Sequence, residues 1–161
     1  MIRDKDMQVF LELLRNSHRS DRQLAKDMGV SQPTVTRARS RLEKGGLIRQ
    51  YTIMPNFVEM GFQIVAITCF KSKRKRELLE KAKRVTMSIP NIIFAARAEG
   101  MGKNGVVISL HQTYRNYANF ITKLMFEHGE EVEEYGSMLI SLGEECVVKP
   151  LSLKYLTELY E

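Results

Sequence analysis

The chain has 161 residues, enough for one domain or two small ones, and its hydrophobic (43%) and charged (27%) fractions are those of a globular protein. It has no apolar run near the roughly 20 residues that span a bilayer and no apolar signal-peptide core, so we expect a cytoplasmic protein without a membrane partner. The formal net charge of +6 favours a polyanionic partner only weakly, but residues 31–50 alone hold five basic residues and one acidic residue.

The first predicted element is an amphipathic helix near the N-terminus. Met7, Phe10, Leu11 and Leu14 recur at the spacing of one helix face. Residues 16–19 (Asn-Ser-His-Arg) then interrupt the pattern, so the helix is expected to end there.

A second, shorter helix is predicted to begin at Ser20, because Ser20 and Gln23 match a capping box. Gly29 can adopt the left-handed conformation that ends a helix. Ser31 can cap a third helix, and Pro33 falls in its first turn, where a missing N–H is tolerated. Two helices joined by a tight turn are therefore expected.

The third helix is predicted over residues 32–45 and carries most of the positive charge. Val35, Ala38 and Leu42 share its inner face, and two glycines end it. A basic helix on its own is usually a solvated surface helix. The order of caps, turn and apolar triplet instead favours a helix-turn-helix, whose second helix enters the major groove of DNA.

The outer face of this helix carries side chains that bind nucleic acid. Thr and Gln hydrogen-bond to base edges, and Arg forks onto guanine or a phosphate. We predict base or phosphate contacts from Ser31, Gln32, Thr34, Thr36, Arg37 and Arg41, and DNA-backbone contacts from Arg39 and, at the start of the second helix, Ser20, Arg22 and Gln23. Residues 47–54 alternate as a short hairpin, or wing, would.

The remaining chain predicts an α+β domain. Strands are expected at 63–70, 92–99, 106–111 and within 136–149, with helices after the first and third, which is the β-α-β-β-α-β order of a ferredoxin-like fold. The predicted organisation is a helix-turn-helix domain (1–54), a linker (55–62), a ferredoxin-like domain (63–150) and a tail (151–161).

Neither cysteines nor histidines suggest a metal or a cofactor. Cys69 and Cys146 are expected near strand ends that point opposite ways, which is too far for a disulfide, so two free thiols are predicted. His18, His111 and His128 are isolated from one another and make no metal-ligand spacing.

The segment from Arg19 to Phe62, "RSDRQLAKDMGVSQPTVTRARSRLEKGGLIRQYTIMPNFVEMGF", closely resembles the leucine-responsive regulator/asparagine regulator (Lrp/AsnC) family of transcription factors. The later domain matches that family in layout. The resemblance implies a dimer, often built up to a tetramer or octamer, formed through the C-terminal domains. It also implies binding to pseudo-palindromic double-stranded DNA and, in many members, sensing of an amino-acid effector.

The effector site is where this chain departs from the family pattern. The family usually has Gly-x-x-Asp before the third strand, whereas "EGMGKNGVV" contains no Asp. This turn is either a plain hairpin or a site for another ligand, for which Arg97, Gly100, Gly102 and Asn104 are the candidate residues.

Three further interpretations stay open. The basic run at residues 71–77 is a solvated face, or it contacts DNA wrapped around an oligomer. Some tetrapyrrole-pathway decarboxylases share the two-domain architecture, and His111, Arg97 and Arg115 would then be candidates for propionate binding or proton handling. A ligand-sensing or interaction module without DNA binding is also conceivable. No catalytic constellation is evident, so a regulator is expected rather than an enzyme.

Overall fold

The computed structural model describes residues 3–73 and 76–160, with the backbone alone at 76–78, and it divides into two compact units. The first unit comprises the chain up to Met54 together with the segment from Pro150 onwards, and the second is Pro55–Lys149. Within the described residues, no helix has the length and apolar character needed to cross a membrane.

Three helices form the first unit: α1 (Asp4–Arg15), α2 (Asp21–Asp27) and α3 (Gln32–Lys44). Their buried apolar side chains pack into one core, which confirms the predicted inner face of α3. The core residues are Val9, Leu13, Leu24, Ala25, Val35, Ala38 and Leu42.

The predicted buried stripe of α1 is wrong in its phase. The side chains of the stripe from Met7 to Leu14 are only half-buried, whereas Val9 and Leu13 are fully buried. Asp6 lies beside them with 5% of its surface exposed. Apolar spacing cannot reveal a carboxylate at a core position, because its burial depends on a partner from another helix.

The predicted helix ends are largely confirmed. Ser20 and Gln23 form the capping box, and Gly29 has φ +64°, in the left-handed region that favours glycine. Ser31 occupies the N-cap of α3, but its side chain caps no backbone N–H. Its hydroxyl is instead hydrogen-bonded to that of Thr34, 2.8 Å away.

The segment after α3 differs from the predicted hairpin, because no strand forms in residues 47–54 of the structure. The chain after Pro150 rejoins the first unit, where a 3₁₀ helix, Leu153–Tyr160, packs against α1 and buries Thr157.

The second unit has the predicted β-α-β-β-α-β order. Its strands form one antiparallel sheet in the order β2-β3-β1-β4, the ferredoxin-like arrangement. The elements are β1 (Ile64–Ser72), α4 (Arg76–Ser88), β2 (Ile92–Gly100), β3 (Lys103–His111), α5 (Tyr114–His128) and β4 (Val132–Ser141).

Helix α5 covers one face of this sheet. Ala66 of β1 packs with Tyr117 and Ile121 of α5. Successive strand residues point to opposite faces, so Ile67 belongs to the other face.

Two strands are displaced from their predicted positions. β3 begins at Lys103 rather than at residue 106, because the turn before it is shorter than its glycines suggest. β4 begins at Val132 and ends at Ser141, so Cys146 lies beyond the strand instead of within it. Cys69 lies within β1 opposite Gly136, five residues before the end of β4 at Ser141, and both thiols are free.

Candidate nucleic-acid interface

The outer face of α3 is fixed by burial of its inner face. Because Val35, Ala38 and Leu42 point into the core, Gln32 and Arg37 are turned outward and exposed. Among the described residues, none hydrogen-bonds to or forms an ion pair with the side chain of either. Both side chains are therefore available to an external partner.

Thr36 and Arg39 are instead bound to the first residue of α2. The Thr36 hydroxyl donates to Asp21 Oδ2 at 2.7 Å, and Arg39 Nε donates to Asp21 Oδ1 at 2.7 Å. The side chains of Arg39 and Asp21 are 19% and 20% exposed. Asp21 thus ties the start of α2 to the middle of α3.

The same arginine connects α3 to the segment that follows it. Arg39 donates to the carbonyl oxygen of Arg19 at 3.2 Å and to the Tyr51 hydroxyl at 3.3 Å. Its guanidinium lies 5.7 Å from the centre of the Tyr51 ring. The Tyr51 hydroxyl donates in turn to Glu43 Oε1 at 2.8 Å. Burial, and then the hydrogen bond to Glu43, raise the pKa of Tyr51. This network holds residues 47–54 near α3 without strand pairing.

Arg41, another predicted DNA contact, is directed at α1. Its Nε and Nη2 donate to the two carboxylate oxygens of Asp6 at 2.9 and 2.5 Å. The Asp6 side chain is 7% exposed, and the hydrogen bond from Arg41 holds its pKa below the ordinary value of 3.8 although burial opposes this. A buried carboxylate without this arginine would be costly, so the pair joins α1 to α3.

At the start of α2, two of the predicted contacts are used within the fold. Gln23 N–H donates to Ser20 Oγ at 3.3 Å, and Ser20 N–H donates to Gln23 Oε1 at 2.8 Å. Arg22 between them is exposed and has no partner among the described residues. It lies at the positive end of the helix dipole, where a phosphate is favoured.

The turn before β3 is a two-residue hairpin loop. Gly100 pairs with Lys103, and the intervening Met101 and Gly102 have φ of +48° and +69°. Positive φ at both central residues is the type I′ geometry that matches the twist of antiparallel strands. The plain-hairpin alternative thus describes the backbone here.

The candidate effector residues are only partly brought together. Gly100, Gly102 and Asn104 line an open recess of about 460 Å³ that includes Lys71 and Lys103, whereas Arg97 is not part of its lining. Asn104 itself is already bonded within the fold: it accepts from the N–H of Ser72 at 2.9 Å and donates to the Ser72 carbonyl at 2.7 Å.

The basic run after β1 is only partly described. Lys73 donates to the carbonyl oxygen of Glu130 at 3.0 Å, and Lys71 lies 3.4 Å from Glu133. Arg74 and Lys75, on which the DNA-wrapping hypothesis depends most, lie outside the described residues.

His111, the central residue of the decarboxylase alternative, is buried. Only 2% of it is exposed, its Nε2 lies 2.8 Å from Ser109 Oγ, and its Nδ1 lies 3.4 Å from Asn91 Nδ2. Tyr117 and Phe120 lie against the ring, with centroids 5.4 and 5.0 Å away. These contacts place the His111 imidazole in the core between β3 and α5.

Three residues central to this interface were not found in the sequence. Asp6 and Asp21 stand near the starts of predicted helices, where a carboxylate is ordinary, and Tyr51 falls in the predicted wing. No sequence signal separates Arg39 and Arg41 from Arg37, because the carboxylates that bind Arg39 and Arg41 lie 18 and 35 residues earlier in the chain.

The model of a protein family described as "Winged helix-turn-helix DNA-binding" matches residues 2–49. An uncharacterised HTH-type transcriptional regulator of Pyrococcus horikoshii is 31% identical over 50% of this chain and 58% of its own length. The HTH-type transcriptional regulator LrpC of Bacillus subtilis is 30% identical over 59% of this chain and 65% of its own length. The chain thus spans less than two thirds of either relative.

Solved structures share the fold over most of the chain. The structure of B. subtilis LrpC superposes with a TM-score of 0.75 over 87% of this chain and 94% of that one, at 24% identity. An AsnC family transcriptional regulator from Agrobacterium tumefaciens gives 0.79 over 96% and 99%, at 18% identity. A Neisseria meningitidis transcriptional regulator, NMB0573, in complex with L-Met gives 0.82 over 97% and 99%, at 16% identity. At sequence identities this low, the superpositions show a shared fold and nothing further.

Proposed function

We propose that the chain is a helix-turn-helix transcriptional regulator of the Lrp/AsnC family, and that it binds specific duplex sequences by placing α3 in the major groove. The observation that carries the proposal is the exposed pair Gln32 and Arg37, which have no partner within the described part of the chain and lie on a helix whose inner face is packed. Glutamine bonds adenine and arginine forks onto guanine, so this pair can read base edges.

The other predicted DNA contacts fall into two groups, according to whether their side chains already form hydrogen bonds between helices of the fold. Arg22 is proposed to bind a phosphate at the α2 N-terminus, since its side chain is exposed there. Ser20 and Gln23 are proposed to lie near the DNA backbone, as are Ser31 and Thr34 at the start of α3. Arg41 and Arg39 are proposed to act indirectly, by holding α3 against α1 and α2.

Selection of bound duplexes from a randomised pool tests this function. The full-length protein is expected to enrich one motif, in pseudo-palindromic half-sites whose centres lie about 34 Å, or a multiple of that, apart along the DNA. Recovery of duplexes without any shared motif would contradict sequence-specific binding.

We further propose that the protein acts as a dimer or a higher oligomer, with double-stranded DNA and a second copy of itself as partners. One row of apolar side chains crosses all four strands on the face that carries Ile67: Phe94, Ile108, Ile67 and Met138 are register neighbours. Phe94 is 51% exposed and Met138 is 66% exposed. Such a face favours burial against another copy, because a contiguous exposed apolar patch marks an interaction surface. We also propose a cytoplasmic location, because the proposed partner is DNA.

For the effector, we propose only its chemical class, an amino acid. The recess at the β2–β3 turn offers Lys71 and Lys103, which suit a carboxylate, and the L-Met complex of the Neisseria regulator makes an amino acid the natural first ligand to test. Lys103 is paired with Glu134 at 2.5 Å, and Lys103 lowers the pKa of that carboxyl. Titration with the twenty amino acids, followed by calorimetry and by DNA affinity, tests the proposal, and a lack of heat and of any affinity change with all twenty would contradict it.

A further inference from the structure

The carboxylate of Asp21 is shared between two side chains of α3. Oδ2 accepts the hydroxyl hydrogen of Thr36, and Oδ1 accepts the Nε–H of Arg39, each at 2.7 Å. Only about a fifth of the Asp21 side chain is exposed. The first residue of α2 therefore decides what two residues of α3 can offer to DNA.

A threonine hydroxyl has one hydrogen to donate and two lone pairs to accept with. Since Asp21 takes the hydrogen of Thr36, the exposed side of Thr36 presents lone pairs and a methyl group. In the major groove the amino groups of adenine and cytosine donate and the thymine methyl is an apolar partner, whereas the edge of guanine only accepts. Phosphate oxygens also only accept, so Thr36 in this state suits neither guanine nor phosphate.

Arg39 is likewise held away from the phosphates. Its guanidinium is bound to Asp21, to the Arg19 carbonyl and to Tyr51, and its side chain is 19% exposed. Arg37, two residues earlier, is exposed and has no partner among the described residues. The two arginines therefore differ in the charge that each can give to DNA.

We propose that Asp21 is a specificity-determining positioning residue, which fixes Thr36 as an acceptor toward DNA and keeps Arg39 within the protein. The base that meets Thr36 is then adenine, cytosine or thymine, and guanine is rejected. This inference rests on the proposed function, because it requires α3 to lie in the major groove.

The test repeats the randomised-duplex selection with full-length wild type, Asp21→Asn and Asp27→Asn. The Asn amide can turn its NH₂ toward Thr36 Oγ1, which frees the hydroxyl to donate outward. We expect wild type to deplete guanine at one position of each half-site and Asp21→Asn to restore guanine there on the order of tenfold. The slope of log affinity against log salt is expected to steepen by about one as Arg39 is released. Asp27→Asn is the matched control, because it removes the same charge from the same helix, at a residue paired with Arg19.

A second variant, Thr36→Val, keeps the methyl group and leaves the pair of Asp21 with Arg39 in place. We expect it to lose the enrichment of adenine and cytosine at that position and to retain thymine. Unchanged base preferences in Asp21→Asn would overturn the inference, as would unchanged preferences in Thr36→Val or the same change in Asp27→Asn. If wild type selects no motif at all, the proposed function itself fails. If wild type selects a motif that neither variant alters, only the role of Asp21 fails.

Discussion

At the scale of single residues, the arginines of α3 carry the same charge and have different roles. Arg41 is committed to Asp6 and Arg39 to Asp21, which leaves Arg37 without a partner among the described residues. The sequence predicts a DNA contact for all three, with bases or phosphates for Arg37 and Arg41 and with the DNA backbone for Arg39. The difference arises from carboxylates that are remote in the chain and are brought near only by the packing of the three helices.

Arg37→Ala is expected to weaken binding to the selected motif by about 1–3 kcal/mol and to broaden base preference at one position, because a bidentate contact with guanine is lost. Binding isotherms with the selected duplex and with single-base variants measure both effects. Lys44→Ala is the control, since Lys44 is an exposed basic residue at the end of the same helix. Equal affinity of Arg37→Ala and wild type would contradict the assignment.

His111 makes the stability of the second unit depend on pH. Burial lowers its pKa below the ordinary value of 6.5, so the folded chain resists protonation that the unfolded chain accepts. The free energy of unfolding contributed by this residue is therefore complete above about pH 6.5 and falls as pH decreases from there toward the lower, folded-state pKa. Denaturation curves followed by circular dichroism between pH 5 and 8 measure this.

His111→Gln is expected to flatten that dependence, whereas His18→Gln, at an exposed histidine, is expected to leave it as in wild type. An equally steep decline in His111→Gln would show that another group titrates in this range.

At the scale of elements, local signals predicted the helices better than the strands. The capping box, Gly29 and the apolar triplet of α3 are short-range features whose meaning does not depend on the rest of the chain. The strand order and the covering helix α5 also followed from periodicity. Failures occurred where the outcome depends on a partner: the phase of α1 on Arg41, and the start of β4 on pairing with β1.

Gly102, in the hairpin between β2 and β3, is expected to be needed for its positive φ and not for lack of space. A Cβ at Gly102 meets no heavy atom within 4 Å, but φ is +69°, so Gly102→Ala is expected to destabilise the domain by about 1 kcal/mol through backbone strain alone. At Gly129 a Cβ also meets nothing and φ is −63°. Gly129→Ala is therefore the matched control and is expected to be neutral or slightly stabilising in chemical denaturation. Equal losses in both variants would rule out left-handed geometry as the cause.

At the scale of the whole molecule, the proposed self-association rests on the open apolar face of the sheet. Met138→Glu places a charge next to Ile67 at the β4 end of the apolar row, and it is expected to shift the protein to a smaller species in analytical ultracentrifugation. Met87→Glu makes the same change at an 82% exposed residue of α4 and is expected to leave the mass unchanged. If Met138→Glu sediments as wild type does, the interface lies elsewhere.

Oligomerisation and DNA recognition are linked by geometry. A single copy presents one α3, whereas a dimer presents two and can engage successive major grooves on one side of the duplex. The affinity for a pseudo-palindromic site should therefore fall in Met138→Glu even though its α3 is untouched.

The most direct measurement of the central claim is DNA binding by the full-length protein across a salt series. Two fragments are compared, one from upstream of the protein's own coding sequence and one unrelated fragment of equal length. The account predicts tight binding that weakens steeply with salt and favours the upstream fragment at every salt concentration. Weak and equal binding to both fragments would leave only a sequence-independent electrostatic attraction and would contradict recognition through α3.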